Sequence, residues 1–296
     1  MKLLRLALRA FLVLIGIVVL VLAALLVHGY GLLARPVGNP VPALAVAPDS
    51  AQLARGNHLC RVVCSSCHGL GADGRLAMSG STENFLVIPG GPKFGTLYAP
   101  NITPGGVLGG VGDGQLSRAI REGVGFDDRP LLVMPSAHFH GMSDGDLAAL
   151  ISALRAQPSE SRVTPRRALN PLGYLILGLH QYETSAQLPV SAPVPTPTEA
   201  PDSTYGAYLV PILGCADCHG TDYNGGRKGQ FPPIGPDLVG LTRAMPITTF
   251  EAALRHGIKP AGGALDPARM PWTTFADLTD LEVQAVYAFL RRLPVR

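Results

Sequence analysis

Two five-residue stretches carry the chemistry: Cys64-Ser65-Ser66-Cys67-His68 and Cys215-Ala216-Asp217-Cys218-His219. Two cysteines three apart, followed at once by histidine, is the attachment pattern for a c-type haem. The spacing has a chemical reason. Two thiols add across the two vinyl groups of one porphyrin as thioethers, and the next residue reaches the iron as its proximal imidazole. A redox disulfide or a zinc site would also use paired cysteines, but neither needs histidine directly after both pairs. The pattern occurs twice, each time opening the same downstream sequence, so two covalently bound haem c groups are expected. Cys64, Cys67, Cys215 and Cys218 would attach them, and His68 and His219 would be the proximal iron ligands.

The sixth iron position decides what such a group can do. A thioether there raises the potential and closes the iron to substrate. Met134 and Met270 fit. They follow their histidines by 66 and 51 residues, each precedes a proline, and each holds the same place in the repeat. Among the rivals, Met142 aligns with Leu278 and reads as core. Met245 lies before a short helix, and Met78 lies in a glycine-serine loop. His138 and His140 follow Met134 where the second copy has Thr274 and Ala276, so they read as residues near the haem edge. His58 reads as exposed, and His256 has Glu122 as its counterpart. Cys60 is left over and is expected to be a small buried apolar residue.

The elements that must position these groups can be traced along the chain. The 296 residues suit about two domains. Residues 10–27 form an uncharged run of 18, close to the ~20 needed for a membrane-spanning helix. It is longer than the ~7–15-residue core of a cleaved signal peptide, and residues 26–30 make a poor cleavage site. An uncleaved anchor over residues 1–30 is expected. Lys2, Arg5 and Arg9 precede the run, which puts the N-terminus in the cytoplasm and the body outside the inner membrane, on the periplasmic side. These three and Arg35 precede the first acidic residue, Asp49. Without the four, the chain has 20 basic against 21 acidic residues. The body therefore has no electrostatic footprint for nucleic acid.

Residues 31–49, with Pro36, Pro40, Pro42 and Pro48, read as an extended tether. A first domain is expected over 50–157: a helix over 51–63, an irregular glycine-rich stretch from Gly71 to about Gly114, a helix over 113–122 stopped by Gly123, and a helix from Ser143 to about Arg155. Ser143 and Asp146 make an approximate capping box. Residues 158–201 read as a linker, proline-rich in its second half. Its apolar segment 172–179 is too short to span a membrane and is expected to pack on a domain surface or to meet the membrane or a partner. The second domain, 202–296, repeats the first. Gly206-x-x-Leu209 matches Gly56-x-x-Leu59, Phe275 matches Phe139, and Thr279 to Glu282 matches Ser143 to Asp146. A glycine in each leading helix would let the last helix approach closely, with Ile151 and Tyr287 as the aligned partners. The glycine run 105–112 does not follow a strand, so it reads as a loop against the porphyrin rather than a nucleotide loop.

On the two Cys-x-x-Cys-His-Gly motifs, the Pro100-Asn101 and Pro236-Asp237 stretches and the two Met-Pro corners, the chain resembles membrane-anchored dihaem members of the class I cytochrome c family. It is similar to the haem domains of cytochrome subunits that serve bacterial membrane-bound dehydrogenases. The resemblance implies a mainly α fold: an N-terminal transmembrane helix, then two tandem class I cytochrome c domains. It implies single-electron transfer between a dehydrogenase or respiratory complex and a periplasmic or membrane redox partner. The related subunits commonly carry three haem domains, where this chain has two motifs. The first copy is also longer between histidine and proline, 32 residues against 17. Its extra segment, with residues 85–88, is expected to form a small hairpin or a docking surface. The alternative is a dihaem enzyme, peroxidase-like or thiosulfate-oxidising. It would need one open or unusually ligated iron, with Cys60, His138 or His140 as the unusual ligand.

Overall fold

Leucine, valine and alanine without an internal charge make the first element a helix with no polar face. It runs from Lys2 to Ala34 (α1), and its apolar window is wholly unburied. It is the one helix among the described residues long and apolar enough to cross a membrane. The computed structural model describes residues 2–44, 46, 49–69, 76–88, 90–227 and 234–296. Pro48 and Gly71, named above in the tether and the glycine-rich stretch, lie outside them.

The chain is mainly helical, as expected. After α1, residues 36–44 and Val46 form no helix or strand but are laid along the first unit. Val37 N donates to Asp128 O at 2.7 Å, the Asn39 amide donates to Glu122 at 2.6 Å, and Val46 N donates to Asp113 at 3.2 Å. Leu44 and Val46 pack on that unit's core.

The first unit begins with α2 (Ser50–Leu59), capped by the Asp49 side chain. The expected helix to residue 63 changes pitch: Cys60–Cys64 is a π turn, followed by α3 (Ser65–His68). A two-residue strand β1 (Gly95–Thr96) comes next, then α4 (Asp113–Glu122), α5 (Ser136–Phe139) and α6 (Asp144–Arg155). Gly123 ends α4 in the left-handed region at φ 63°, where glycine carries no Cβ penalty. Strand β2 (Ala168–Leu169) pairs antiparallel with β1, and α7 (Pro171–Gly178) follows. The second unit has α8 (Ser203–Ile212), α9 (Ala216–His219), α10 (Leu238–Ala244), α11 (Ile247–His256) and α12 (Asp280–Arg292).

Each unit is built on one close crossing, α2 on α6 and α8 on α12. A Cβ on Gly56 would overlap the Ala149 carbonyl, and one on Gly206 the Ala285 carbonyl. The glycines do let the last helix in, but against Ala149 and Ala285, two residues before the expected Ile151 and Tyr287. The crossing puts backbone on backbone, so the partner position is itself a small residue. The apolar core divides accordingly. One cluster holds Leu59, Cys64, Leu116, Ile120, Phe139 and Leu150; the other holds Leu209, Phe250, Leu254, Phe275, Val286 and Leu290. Residues 158–201 strap the first unit: the Asn101 amide donates to Glu160 O, Gln187 N to Glu122 O, and Asp144 N to Val194 O. In the longer first loop, Phe94 N donates to Leu86 O and Val87 bridges Lys93, making a small hairpin. Leu86 and Phe94 pack with Leu33 of α1 and Leu177 of α7.

A buried polar network joins the two units. Arg55 on α2 makes a two-pronged contact with Asp146 at 2.8 and 2.9 Å and reaches Glu282 on α12 at 3.0 Å. His58, expected to be exposed, donates to the same Glu282 at 2.8 Å and is 21% exposed. Tyr208 OH donates to Asp146 at 2.7 Å. Asp146 therefore does not close the expected capping box. Ser143 still accepts from Asp146 N, but the carboxylate is taken by Arg55 and Tyr208. Thr279 and Glu282 do form the reciprocal box.

Two outcomes are expected. Gly206→Ala gains about 1 kcal/mol of helix propensity, yet the added Cβ meets the Ala285 backbone, so thermal unfolding should show net destabilisation of about 1–3 kcal/mol. The second concerns acid. Burial alone would raise the Glu282 carboxyl. The hydrogen bond and charge of His58, the Thr279 amide and the Arg55 charge outweigh burial and lower it from 4.5 to about 2. A depressed carboxyl stabilises the fold fully above its unfolded value and loses that contribution as pH falls through the folded one. The stability gap between the native chain and Glu282→Gln, read by denaturant titration, should therefore shrink between about pH 4.5 and about pH 2.

Candidate haem-attachment sites

In both units the leading helix delivers the motif. The two routes differ by one residue: Leu59 to Cys64 is five steps and Leu209 to Cys215 is six. The first route runs through its π turn. The second, longer route leaves the helix instead, with Pro211 in the last turn of α8 and Gly214 at φ 69°. Each motif then forms a short helix ending at a glycine of positive φ, Gly69 at 95° and Gly220 at 80°.

The two histidines are held alike. His68 is buried, and its Nδ1 lies 2.9 Å from Pro100 O; His219 is buried, and its Nδ1 lies 2.8 Å from Pro236 O. A carbonyl only accepts, so Nδ1 carries the proton and the Nε2 lone pair is free. That tautomer, oriented by a backbone acceptor, is what an iron ligand requires. Burial lowers the pKa of both rings, against the opposing effect of the carbonyl bonds, so they stay neutral. A Cβ on Gly235 would strike the His219 ring. Pro100 and Pro236 were visible in the sequence as repeated prolines, but their role as orienting acceptors was not.

No disulfide joins any of the five cysteines. Burial pushes Cys215 up to about 12 and raises Cys67 and Cys218. Burial thus disfavours the thiolate, the form that binds a bare metal ion. Among the described residues no group of three or more His, Cys, Asp or Glu could hold a bare metal ion. Cys60 is fully buried, and its thiol is raised first by its hydrogen bond with Cys64 and then by burial.

Met134 and Met270 are half-buried. Met134 packs on the cluster that contains Cys64, and Met270 packs with Cys215 on the other. The following prolines share one backbone conformation, φ −81° and ψ 56° at Pro135 and φ −76° and ψ 55° at Pro271. The next amides fold back on the methionine carbonyls, Ser136 N to Met134 O at 2.8 Å and Trp272 N to Met270 O at 2.7 Å. Met142 and Leu278 are both core. Met78 is fully buried within its loop, with φ 45°, and its counterpart is Tyr223 with φ 61°. Met78 N donates to Gly69 O and Tyr223 N to Gly220 O, while Ile102 N and Leu238 N donate to their carbonyls. This wedge position is shared, but its side chain is not a shared ligand. The glycine run is a 3-10 turn with Leu108 in the core, and Arg155 donates to Leu108 O and Val111 O.

The attachment turns face each other's unit. The Cys60–Cys64 turn touches the Trp272–Phe275 turn, and α5 touches α8. His138 donates to Asp217, inside the second motif, at 2.9 Å, and its ring lies where a Gly214 Cβ would be. Arg61 lies 4.0 Å from Asp277. Val62 packs in the second unit's core and Ile212 in the first's.

Residues 203–294 match the cytochrome c family model. The chain is 32% identical over 125 residues to the fructose dehydrogenase cytochrome subunit of Gluconobacter japonicus, a match covering 36% of this chain and 24% of that protein. It is 30% identical over 237 residues to a nicotinate dehydrogenase subunit of Pseudomonas putida, covering 76% of this chain and 17% of that protein. It is 34% identical over 95 residues to the cytochrome c subunit of alcohol dehydrogenase (quinone) of Gluconacetobacter polyoxogenes, covering 28% and 20%. The matches thus span a quarter or less of those relatives. The chain carries a cytochrome c domain at residues 203–294, which implies covalent haem c, and is similar to cytochrome c subunits of bacterial dehydrogenases.

Proposed function

We propose that the chain is a membrane-anchored dihaem c-type cytochrome. It carries single electrons between a dehydrogenase or respiratory complex and a periplasmic or membrane redox partner. Helix α1 spans the inner membrane, and both haem units lie on the periplasmic side. The observation that carries the reading is the duplicated histidine seat, with Nδ1 of His68 and His219 each donating to the carbonyl of a proline.

Bound haem supplies a one-electron ferric–ferrous couple. The chain's residues do the rest. Cys64 and Cys67 hold one group, and Cys215 and Cys218 the other. His68 and His219 would offer neutral Nε2 to the irons, and Met134 and Met270, turned by matching Met-Pro corners, would offer thioethers. The apolar clusters exclude water, which favours a site that changes charge with little rearrangement. The dehydrogenase subunits to which the chain is similar support a dehydrogenase as electron donor.

Two of the candidate ligands of the dihaem-enzyme alternative are engaged elsewhere: His138 is held by Asp217, and Cys60 is buried against Cys64. His140, whose Nδ1 donates to Arg121 O at 3.1 Å, keeps Nε2 free and is the candidate that reading retains.

The purified chain should contain two haems by pyridine haemochrome assay, and Cys215→Ala with Cys218→Ala should leave one. Both haems should be low-spin with the far-red methionine charge-transfer band. Met134→Ala and Met270→Ala should each turn one haem high-spin or water-ligated. A native chain with a high-spin haem that binds cyanide readily would overturn the carrier reading. Native isolation with identification of co-purifying proteins tests the partner.

A further inference from the structure

Helix α7 lies against the outer end of α1, and this sets its depth. Gly29 and Gly178 face each other: a Cβ on Gly29 would overlap Tyr174 O, and one on Gly178 would overlap Leu25 O. The two helices therefore run antiparallel at backbone contact, with Tyr174 beside Gly29 and Gly178 beside Leu25. Small residues at a crossing are how helices meet in lipid. Arg9 is the last charge before the apolar run. Counting from it, a hydrocarbon core of ~30 Å at ~1.5 Å per residue takes ~20 residues and ends near Tyr30. Leu25, and with it the C-terminal end of α7, then lies ~7 Å inside that boundary.

The end of α7 is built for that place. The helix Pro171–Gly178 carries no charge. Leu179 N donates to Leu175 O, His180 N to Leu177 O and Gln181 N to Ile176 O, so the helix end leaves these three amides satisfied without water. His180 takes the left-handed position at φ 52° that closes this turn. Leu179 is 44% exposed and Tyr182 36%. Tyr30 is exposed and packs edge-on to Tyr174, which puts a tyrosine from each helix at one level. Tyrosines gather at the membrane–water boundary. The polar ring in this turn is paired on both sides, His180 lying 3.2 Å from His28 and 3.4 Å from Glu183.

We propose that residues 175–182 insert into the outer leaflet at the boundary between acyl chains and headgroups. The chain then holds the bilayer at two points, and the haem units keep one orientation to the membrane. The strap that carries α7, the β1–β2 pair and the hairpin packed on Leu33 and Leu177 transmit that orientation to the first unit. The inference rests on α1 being the membrane anchor.

The test uses the full chain in liposomes of phosphatidylethanolamine and phosphatidylglycerol. These are doped with a phospholipid bearing a diazirine in its acyl chain, and after illumination the adducts are mapped by mass spectrometry. Adducts are expected in residues 10–27 and in 175–182, several-fold above the level around Val163, which is exposed on the linker. Adducts in 10–27 with 175–182 no higher than around Val163 would overturn the inference and leave the anchor standing. That is also the pattern if a second copy or another protein covers the segment. No adducts in 10–27 would overturn both.

Discussion

Two helices can meet backbone to backbone only where the Cβ atoms between them are missing or small. Gly56 on Ala149 and Gly206 on Ala285 meet that condition, and the rest of each unit follows from the crossing. The leading helix, pinned there, launches Cys-x-x-Cys-His from a fixed point. The last helix, pinned at the same point, has its N-cap fixed at Ser143 or Thr279. One short turn joins the Met-Pro corner to that cap, Ser136–Phe139 in the first unit and Trp272–Phe275 in the second. The crossing therefore constrains both the attachment motif and the candidate thioether that packs on the same cluster.

The same leading helices join the units. Their outer faces exchange Val62 and Ile212 between the two cores, and Arg55 ties Asp146 to Glu282 across the seam. Burying three charges is costly unless each is paired and hydrogen-bonded, and here each carboxylate has more than one donor. The arrangement is close to two-fold. Each attachment turn meets the other unit's corner, with His138 on Asp217 in one direction and Arg61 near Asp277 in the other. These contacts join the two units directly rather than through residues 158–201 alone.

Long proline-rich stretches need not be loose. Residues 36–44 and 158–201 both lie along the first unit, and their backbone groups find specific partners such as Asp128 O and Glu122 O. Proline favours an extended backbone, and an extended strand presents its amides and carbonyls sideways to whatever lies beside it. Composition reports the extension but not the neighbour.

Local chemistry was legible in the sequence by itself: the motif spacing, its second copy, the Gly123 stop, the Ser143 and Thr279 caps and the two Met-Pro corners. Each of these depends on residues within a turn or two of one another. What only the tertiary structure decided depends on residues far apart in the chain. Pro100 and Pro236 became histidine acceptors 32 and 17 residues away. Glu282 drew His58 out of its expected exposure across 224 residues. Asp146 left its capping box because Arg55 offered two charged donors where the cap offered one neutral amide. The glycines foretold a close crossing, but the register of two helices is a property of both surfaces, and it came to rest on Ala149 and Ala285. The attachment motifs thus specify what can be bound, while the crossing and the seam determine where the two sites stand relative to each other.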